Sequence, residues 1–195
     1  MRLLFCGDVV GRPGREAVTQ RIPVLRRTLG LDLVAVNGEN AAAGFGITEA
    51  IARDFFAAGV DVITTGNHVW DKREIIATIA AEPRLLRPAN FPRGTPGSGV
   101  GAYRLADGRR VVVVNLMTRL FMDALDCPFA AVDAALTDER LGETAAAILV
   151  DVHGEATSEK MAMGHHLDGR ASAVVGSHSH VPTADAQVLP GGTAY

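Results

Sequence analysis

The sequence predicts an α/β protein with an at least partly parallel sheet. Three observations predict it: short runs that are apolar throughout rather than alternating, helical stripes between those runs, and turn residues where one gives way to the other. The 195 residues suffice for one domain, residues 1–195, with a substantial core. A chain that is 48% hydrophobic and 21% charged is not disordered, and 5% aromatic content against 21 glycines suits tight α/β turns better than an aromatic-rich barrel.

The strand runs are Leu3–Cys6, Leu33–Val36, Val60–Thr64, Arg110–Asn115, Ala147–Val152 and Ala171–Val175. Between the first two, Val18, Ile22, Leu25 and Leu29 recur at steps of four, three and four, which predicts a helix over Arg15–Leu29 with a buried stripe. Pro13 near its start costs little, whereas Pro23 is expected to disturb it mid-course. Thr48 opens a second helix that runs to about Ala58 and is closed by Gly59. Further helices are predicted from Asp71 to about Ala81, over Cys127–Leu141 and over Thr157–Leu167. Pro88 to Gly101, dense in proline and glycine, reads as an ordered surface loop. The turn at Asp107-Gly108 between Tyr103-Arg104-Leu105 and the run from Arg109 predicts a hairpin, and so an antiparallel strand. Leu189 to Tyr195 reads as a turn and the first residues of another strand, so the chain is expected to lack its C-terminal strands.

A formal charge of -3 provides no global field for gripping nucleic acid, and no DNA partner is expected. Two cysteines, Cys6 and Cys127, form neither a disulfide framework nor a ligand cluster, which favours a reducing compartment. No run approaches the roughly 18–20 apolar residues of a spanning helix, and nothing resembles a signal peptide, so a cytoplasmic protein without a membrane partner is expected. Gly7 to Arg15 is glycine-rich between strand and helix, but it has neither phosphate-loop nor dinucleotide spacing; no nucleotide cofactor is expected there, and Arg12 and Arg15 read either as contacts for a substrate phosphate or as a solvated basic helix start. A serine-hydrolase elbow is absent too.

Polar residues cluster immediately after the strand runs: Asp8, Asn37-Gly38-Glu39-Asn40, Gly66-Asn67-His68, Asp151-Val152-His153 and Gly176-Ser177-His178-Ser179-His180. Ligands of open α/β sheets sit beyond the carboxyl ends of strands, where such residues converge. Carboxylate, amide and imidazole donors without thiolate suit Mn²⁺, Fe²⁺ or Zn²⁺. Six or seven of them exceed the needs of one ion and suffice for two at roughly 3.5–4 Å, the arrangement used to hydrolyse phosphate esters. Each has a plainer reading as well. Asp8 could cap the following helix, Asn37 to Asn40 could be a turn, and Leu120-Phe121-Met122 could be core rather than pocket. His165 and His166 lie late in a helix and look expendable.

The ordered set resembles the calcineurin-like metallophosphoesterase superfamily and, more narrowly, the YmdB-like bacterial family. Asn40-Ala-Ala-Ala-Gly-Phe-Gly-Ile-Thr48, Asn67-His-Val-Trp-Asp71, Arg87-Pro-Ala-Asn-Phe-Pro92, Leu125-Asp-Cys-Pro-Phe129, Glu155-Ala-Thr-Ser-Glu-Lys160 and Val181-Pro-Thr-Ala-Asp185 carry the narrow likeness nearly end to end. The closing motif has serines where the family usually has threonines. The resemblance implies a four-layer α-β-β-α sandwich, two mixed sheets flanked by helices, with a dinuclear iron or manganese centre. In it Asp8, Glu39, Asn40 and His180 would hold one ion, and Glu39, Asn67, His153 and His178 the other, with Glu39 bridging. It implies hydrolysis of 2′,3′-cyclic nucleotides to 3′-nucleotides, in a homo-oligomer. Two such ions would hold a bridging hydroxide as the nucleophile, and His68, adjacent to Asn67, is the candidate general acid. Asp71, Lys72, Arg87, Arg119 and Phe121 are candidates for substrate contact, with helix capping the plainer reading of Asp71 and surface ion pairing that of Arg87. The alternatives are a broader phosphodiesterase or phosphomonoesterase, and a regulatory protein whose metal centre is mainly structural.

Overall fold

The computed structural model describes residues 1–195 and divides into two compact units, Met1–Arg87 with Pro96–Ser98, and Pro88–Thr95 with Gly99–Tyr195. Each unit is built on one sheet with its own helices.

The first unit begins with β1 (Leu3–Cys6), followed by α1 (Gly11–Leu29), β2 (Leu33–Asn37), α2 (Glu49–Ala57), β3 (Val62–Thr64) and α3 (Ile75–Ala81). The strands lie in the order β1-β2-β3, and both pairings are parallel. Every residue of β2 is buried, which explains its unbroken apolar run: a central parallel strand has no solvent face. Val18 and Ile22 are the buried residues of α1, while Leu29, predicted to extend their stripe, is 44% exposed because it falls in the last turn before Gly30. Gly30 takes a left-handed conformation, and its N–H bonds the Arg26 carbonyl. Pro23 does not break the helix; Val18 and Ile22, anchored in the core, hold the turn on its N-terminal side despite the lost hydrogen bond. Thr48 caps α2 as predicted, its hydroxyl accepting the Ile51 N–H. The third helix starts at Ile75 rather than Asp71. Residues 68–74 form tight turns instead, closed by Asp71 N–H to His68 O and Ile75 N–H to Lys72 O.

The second unit comprises β4 (Val100–Arg104), β5 (Arg110–Met117), α4 (Pro128–Ala135), β6 (Ala147–His153), α5 (Thr157–His166) and β7 (Ala173–Ser177). Their order in the sheet is β4-β5-β6-β7; the predicted hairpin makes β4 antiparallel to β5, and the remaining pairings are parallel. Val112, Val114 and Leu116 of β5 and Ile148, Val150 and Val152 of β6 form a core with Val132 of α4 and Met163 of α5. Each such side chain contributes about 1.5–3 kcal/mol when fully buried. Since a strand alternates its faces, the odd-numbered residues of the same strands, Asn115, Asp151 and His153 among them, occupy the opposite face, and these three are fully buried as well. The helix predicted over Cys127–Leu141 stops at Ala135. Beyond it the chain folds into turns in which the Thr144 hydroxyl accepts the Arg140 N–H and Arg110 pairs with Glu139. At the far end Ala194 bridges both Ala173 and Val188, laying the last residues beside β7. No helix is long and apolar enough to cross a membrane.

Candidate metal centre

The polar residues singled out in the sequence do lie at the carboxyl ends of the strands, and each unit carries its own group of donors. In the first unit, Asp8 follows β1, Glu39 and Asn40 follow β2, and Asn67 and His68 follow β3. Asp8 is not the cap of α1, because Val10 occupies the cap position and no side chain bonds there. Backbone bonds draw the strand exits together: Val9 N–H donates to Asn37 O, Gly38 N–H to Thr64 O and Gly11 N–H to Asn40 O. Glu39 is fully buried, and its Oε2 accepts the backbone N–H of His68 at 3.1 Å. The β2 exit therefore sets the position of the β3 exit. Asn40 is also buried, and its amide donates to Gly44 O at 2.8 Å.

His68 has a defined setting. Its Nδ1 lies 2.8 Å from Asp71 Oδ2, and the Phe45 ring meets it edge to face at 4.9 Å between centroids. Asp71 thus serves the histidine rather than a helix cap. Gly46 lets the loop bearing Phe45 approach: at φ 77°, a Cβ there would stand 3.3 Å from His68 O and 2.9 Å from Lys72 Cγ. Phe45 lies within one of the motifs quoted above but carried no role in the sequence reading; nothing in its spacing distinguishes a ring packed on histidine from a core ring.

In the second unit, His153 ends β6 and is fully buried, and His178 follows β7. His178 Nδ1 and His153 Nε2 lie 3.1 Å apart, with the two rings edge to face. His178 and His180 have φ of 99° and 55°, a left-handed backbone that costs non-glycine residues of order 1–3 kcal/mol. The twist at His178 accompanies the turn of its ring toward His153; His180 is exposed. Glu155 places Oε2 3.2 Å from His178 Nε2. Ser177 and Asp151, also without a role in the sequence reading, bond each other and reach His153. The signal for Asp151 was its two-residue step to His153, which puts both on one strand face.

These donors fit a divalent first-row ion. The first unit offers a fully buried carboxylate and the second a buried and a half-buried imidazole, with no thiolate among them, and these are hard-to-borderline ligands.

The other candidates are placed as follows. Arg12 pairs with Glu16 on the surface, and Arg15 donates to Ala41 O, so both hold local structure. Arg87, nearly buried, donates to Pro96 O, and burial lowers its pKa. Lys72 is half-buried, with its stem against Gly46. Leu120 and Phe121 are 51% and 88% exposed, which overturns the core reading of that trio. The backbone N–H groups of Arg119 and Leu120 donate to the Glu159 carboxylate, and Arg119, Leu120 and Met122 line a cavity of about 400 Å³. His166 bonds Asp133, in keeping with a structural role.

Fold and donor set together define a metal-binding hydrolase of the calcineurin-like phosphoesterase class. The model of the family described as YmdB-like protein matches residues 4–195, and the chain belongs to that family. It is 50% identical over 195 residues to the 2′,3′-cyclic-nucleotide 2′-phosphodiesterase of Bacillus subtilis (strain 168), covering all of this chain and 73% of that one. Among solved structures, a protein from Thermus thermophilus superposes with a TM-score of 0.93 at 49% identity, covering 100% of this chain and 74% of that one. A Mycoplasma pneumoniae protein described as a novel phosphatase superposes with a TM-score of 0.87 at 30% identity, covering 99% and 69%.

Proposed function

We propose that the chain is a metal-dependent phosphodiesterase that hydrolyses 2′,3′-cyclic nucleotides to 3′-nucleotides. The observation that carries this reading is the 50% identity, across the whole chain, to a protein named for that activity. The donors at the strand ends support it, since their chemistry suits the ions such a reaction uses.

On the family's ligand pattern, Asp8, Glu39, Asn40 and His180 hold one ion and Glu39, Asn67, His153 and His178 the other, with Glu39 shared. The ions are iron or manganese, and the working form is a cytoplasmic homo-oligomer. When bound, such ions supply a water of lowered pKa and offset charge on the phosphoryl oxygens. The protein's own part is positioning and proton delivery. His68 Nδ1 is held by Asp71 at 2.8 Å, which directs Nε2 away from that carboxylate; in the imidazolium form the Nε2–H is the proton passed to the departing 2′ oxygen. Glu39 accepts the N–H of this same residue, so the acid and the shared ligand are fixed to each other by one hydrogen bond.

The test is an anaerobic assay of Mn²⁺- or Fe²⁺-loaded protein on 2′,3′-cyclic AMP with the product isomer identified. Appearance of 3′-AMP supports the reading; 2′-AMP reverses the substrate pose, and no product overturns it. A broader phosphoesterase is the second reading, favoured by the likeness to the Mycoplasma phosphatase. It requires that 3′-AMP be carried on to adenosine in the same assay.

A further inference from the structure

We propose that Ser177 and Asp151 are positioning residues that hold His153 in its metal-ligating tautomer. This rests on the reading of His153 as a ligand. The parallel register pairs His153 of β6 directly with Ser177 of β7, so their side chains stand side by side on one face of the sheet. Asp151, two residues before His153, projects from that same face. The result is a chain of contacts: Ser177 Oγ lies 2.6 Å from Asp151 Oδ1, and His153 Nδ1 lies 2.9 Å from Ser177 Oγ.

The direction of this chain follows from its ends. Asp151 is fully buried, and the Ser177 hydroxyl donates to its Oδ1 at 2.6 Å. The single hydroxyl proton of Ser177 therefore points to Asp151, and its oxygen is left to accept. It accepts from His153 Nδ1–H, which places the ring proton on Nδ1 and the lone pair on Nε2. Nε2 is the nitrogen that faces His178 at 3.1 Å, the side on which the other imidazole donor stands. A serine thus does for this histidine what a direct carboxylate partner does elsewhere, with the carboxylate one step back. The backbone supports the arrangement: Ser177 O accepts the Gly154 N–H at 3.2 Å and the Lys160 ammonium at 3.4 Å, so the serine sits between two fixed donors.

The test measures Mn²⁺ binding directly, by equilibrium dialysis of intact protein under anaerobic conditions, for Ser177→Thr, Ser177→Val and Ser177→Ala. Ser177→Thr keeps the hydroxyl and should bind within a few-fold of wild type. Ser177→Val keeps the shape of threonine without the hydroxyl and should lose about 10–100-fold in affinity at one of the two sites. Ser177→Ala should match Ser177→Val. Wild-type affinity in Ser177→Val, or a Thr variant as weak as the Val variant, overturns the proposal, since packing rather than the hydroxyl would then be at work. Because metal binding is read without substrate, failure of the cyclic-nucleotide assignment leaves this result standing, and wild-type binding here leaves that assignment untouched.

Discussion

His68 and Asp71 face each other across a single turn, with Nδ1 and Oδ2 at 2.8 Å, and the backbone N–H of the same histidine is bound to Glu39. The turn that would otherwise start a helix is used to orient an imidazole. A charged or polar partner on one ring nitrogen decides which nitrogen faces outward, and here that is Nε2.

His68→Ala should bind its metal normally and lose roughly 10²–10⁴-fold in turnover of 2′,3′-cyclic AMP. A nitrophenyl phosphodiester should be far less affected, because nitrophenolate departs without a proton. Equal losses on both substrates would rule His68 out as the acid. Asp71→Asn should fall between wild type and His68→Ala on the cyclic substrate.

Glu39→Gln separates metal binding from folding. Affinity for Mn²⁺, measured by equilibrium dialysis, should fall by at least the roughly 100-fold that an outer partner can cost, since Glu39 is read as shared by both ions. The metal-free variant should melt at or above the metal-free wild type, because a fully buried negative charge is removed. A large fall in the melting temperature of the metal-free variant would argue that the carboxylate is structural.

Gly154→Ala should destabilise through contact alone. A Cβ at Gly154 would stand 1.8 Å from Thr118 Oγ1 and 2.6 Å from Thr118 Cβ, whereas at Gly94 it meets nothing, although φ there is 86°. Overpacking costs about 1–3 kcal/mol and left-handed alanine about 1–2. Both variants should therefore melt lower, but only Gly154→Ala should also weaken Mn²⁺ binding, because it adjoins His153. Intact binding in Gly154→Ala would show that the strand end yields.

Acid stability should depend on the Arg110–Glu139 pair. The guanidinium donates two hydrogen bonds to Glu139 and holds its carboxyl below the usual value of 4.5. A carboxyl depressed in the folded state adds stability above its unfolded pKa and loses it as pH falls through the folded one. Glu139→Gln should therefore narrow the fall in melting temperature between about pH 5 and pH 3. An unchanged slope would assign the acid loss to other carboxylates.

The thiols should be distinguishable. Burial pushes the Cys6 thiol pKa up, while Cys127 is exposed. Iodoacetamide at pH 8 should alkylate Cys127 well before Cys6, as mass spectrometry of timed digests would show; the reverse order would contradict the partial burial of Cys6.

Much of the fold is legible from one-dimensional pattern. The apolar runs of β2, β5 and β6 announce strands buried on both faces, and Thr48 and Gly59 bracket α2 by capping chemistry that acts within a few residues. The donor types at the strand ends, and so the class of chemistry, are equally local. What the pattern misstates are outcomes of competition. Pro23 is tolerated in a helix that Val18 and Ile22 anchor, α3 starts late where Asp71 bonds His68, and Phe121 stands exposed in the turn that follows the N–H groups bound by Glu159. Tertiary structure alone decided that Ser177 stands beside His153, since strand register is set by packing between segments 24 residues apart. Residue chemistry is local and can be read along the chain; the partner of each ring nitrogen depends on which segments pair, and only folding settles that.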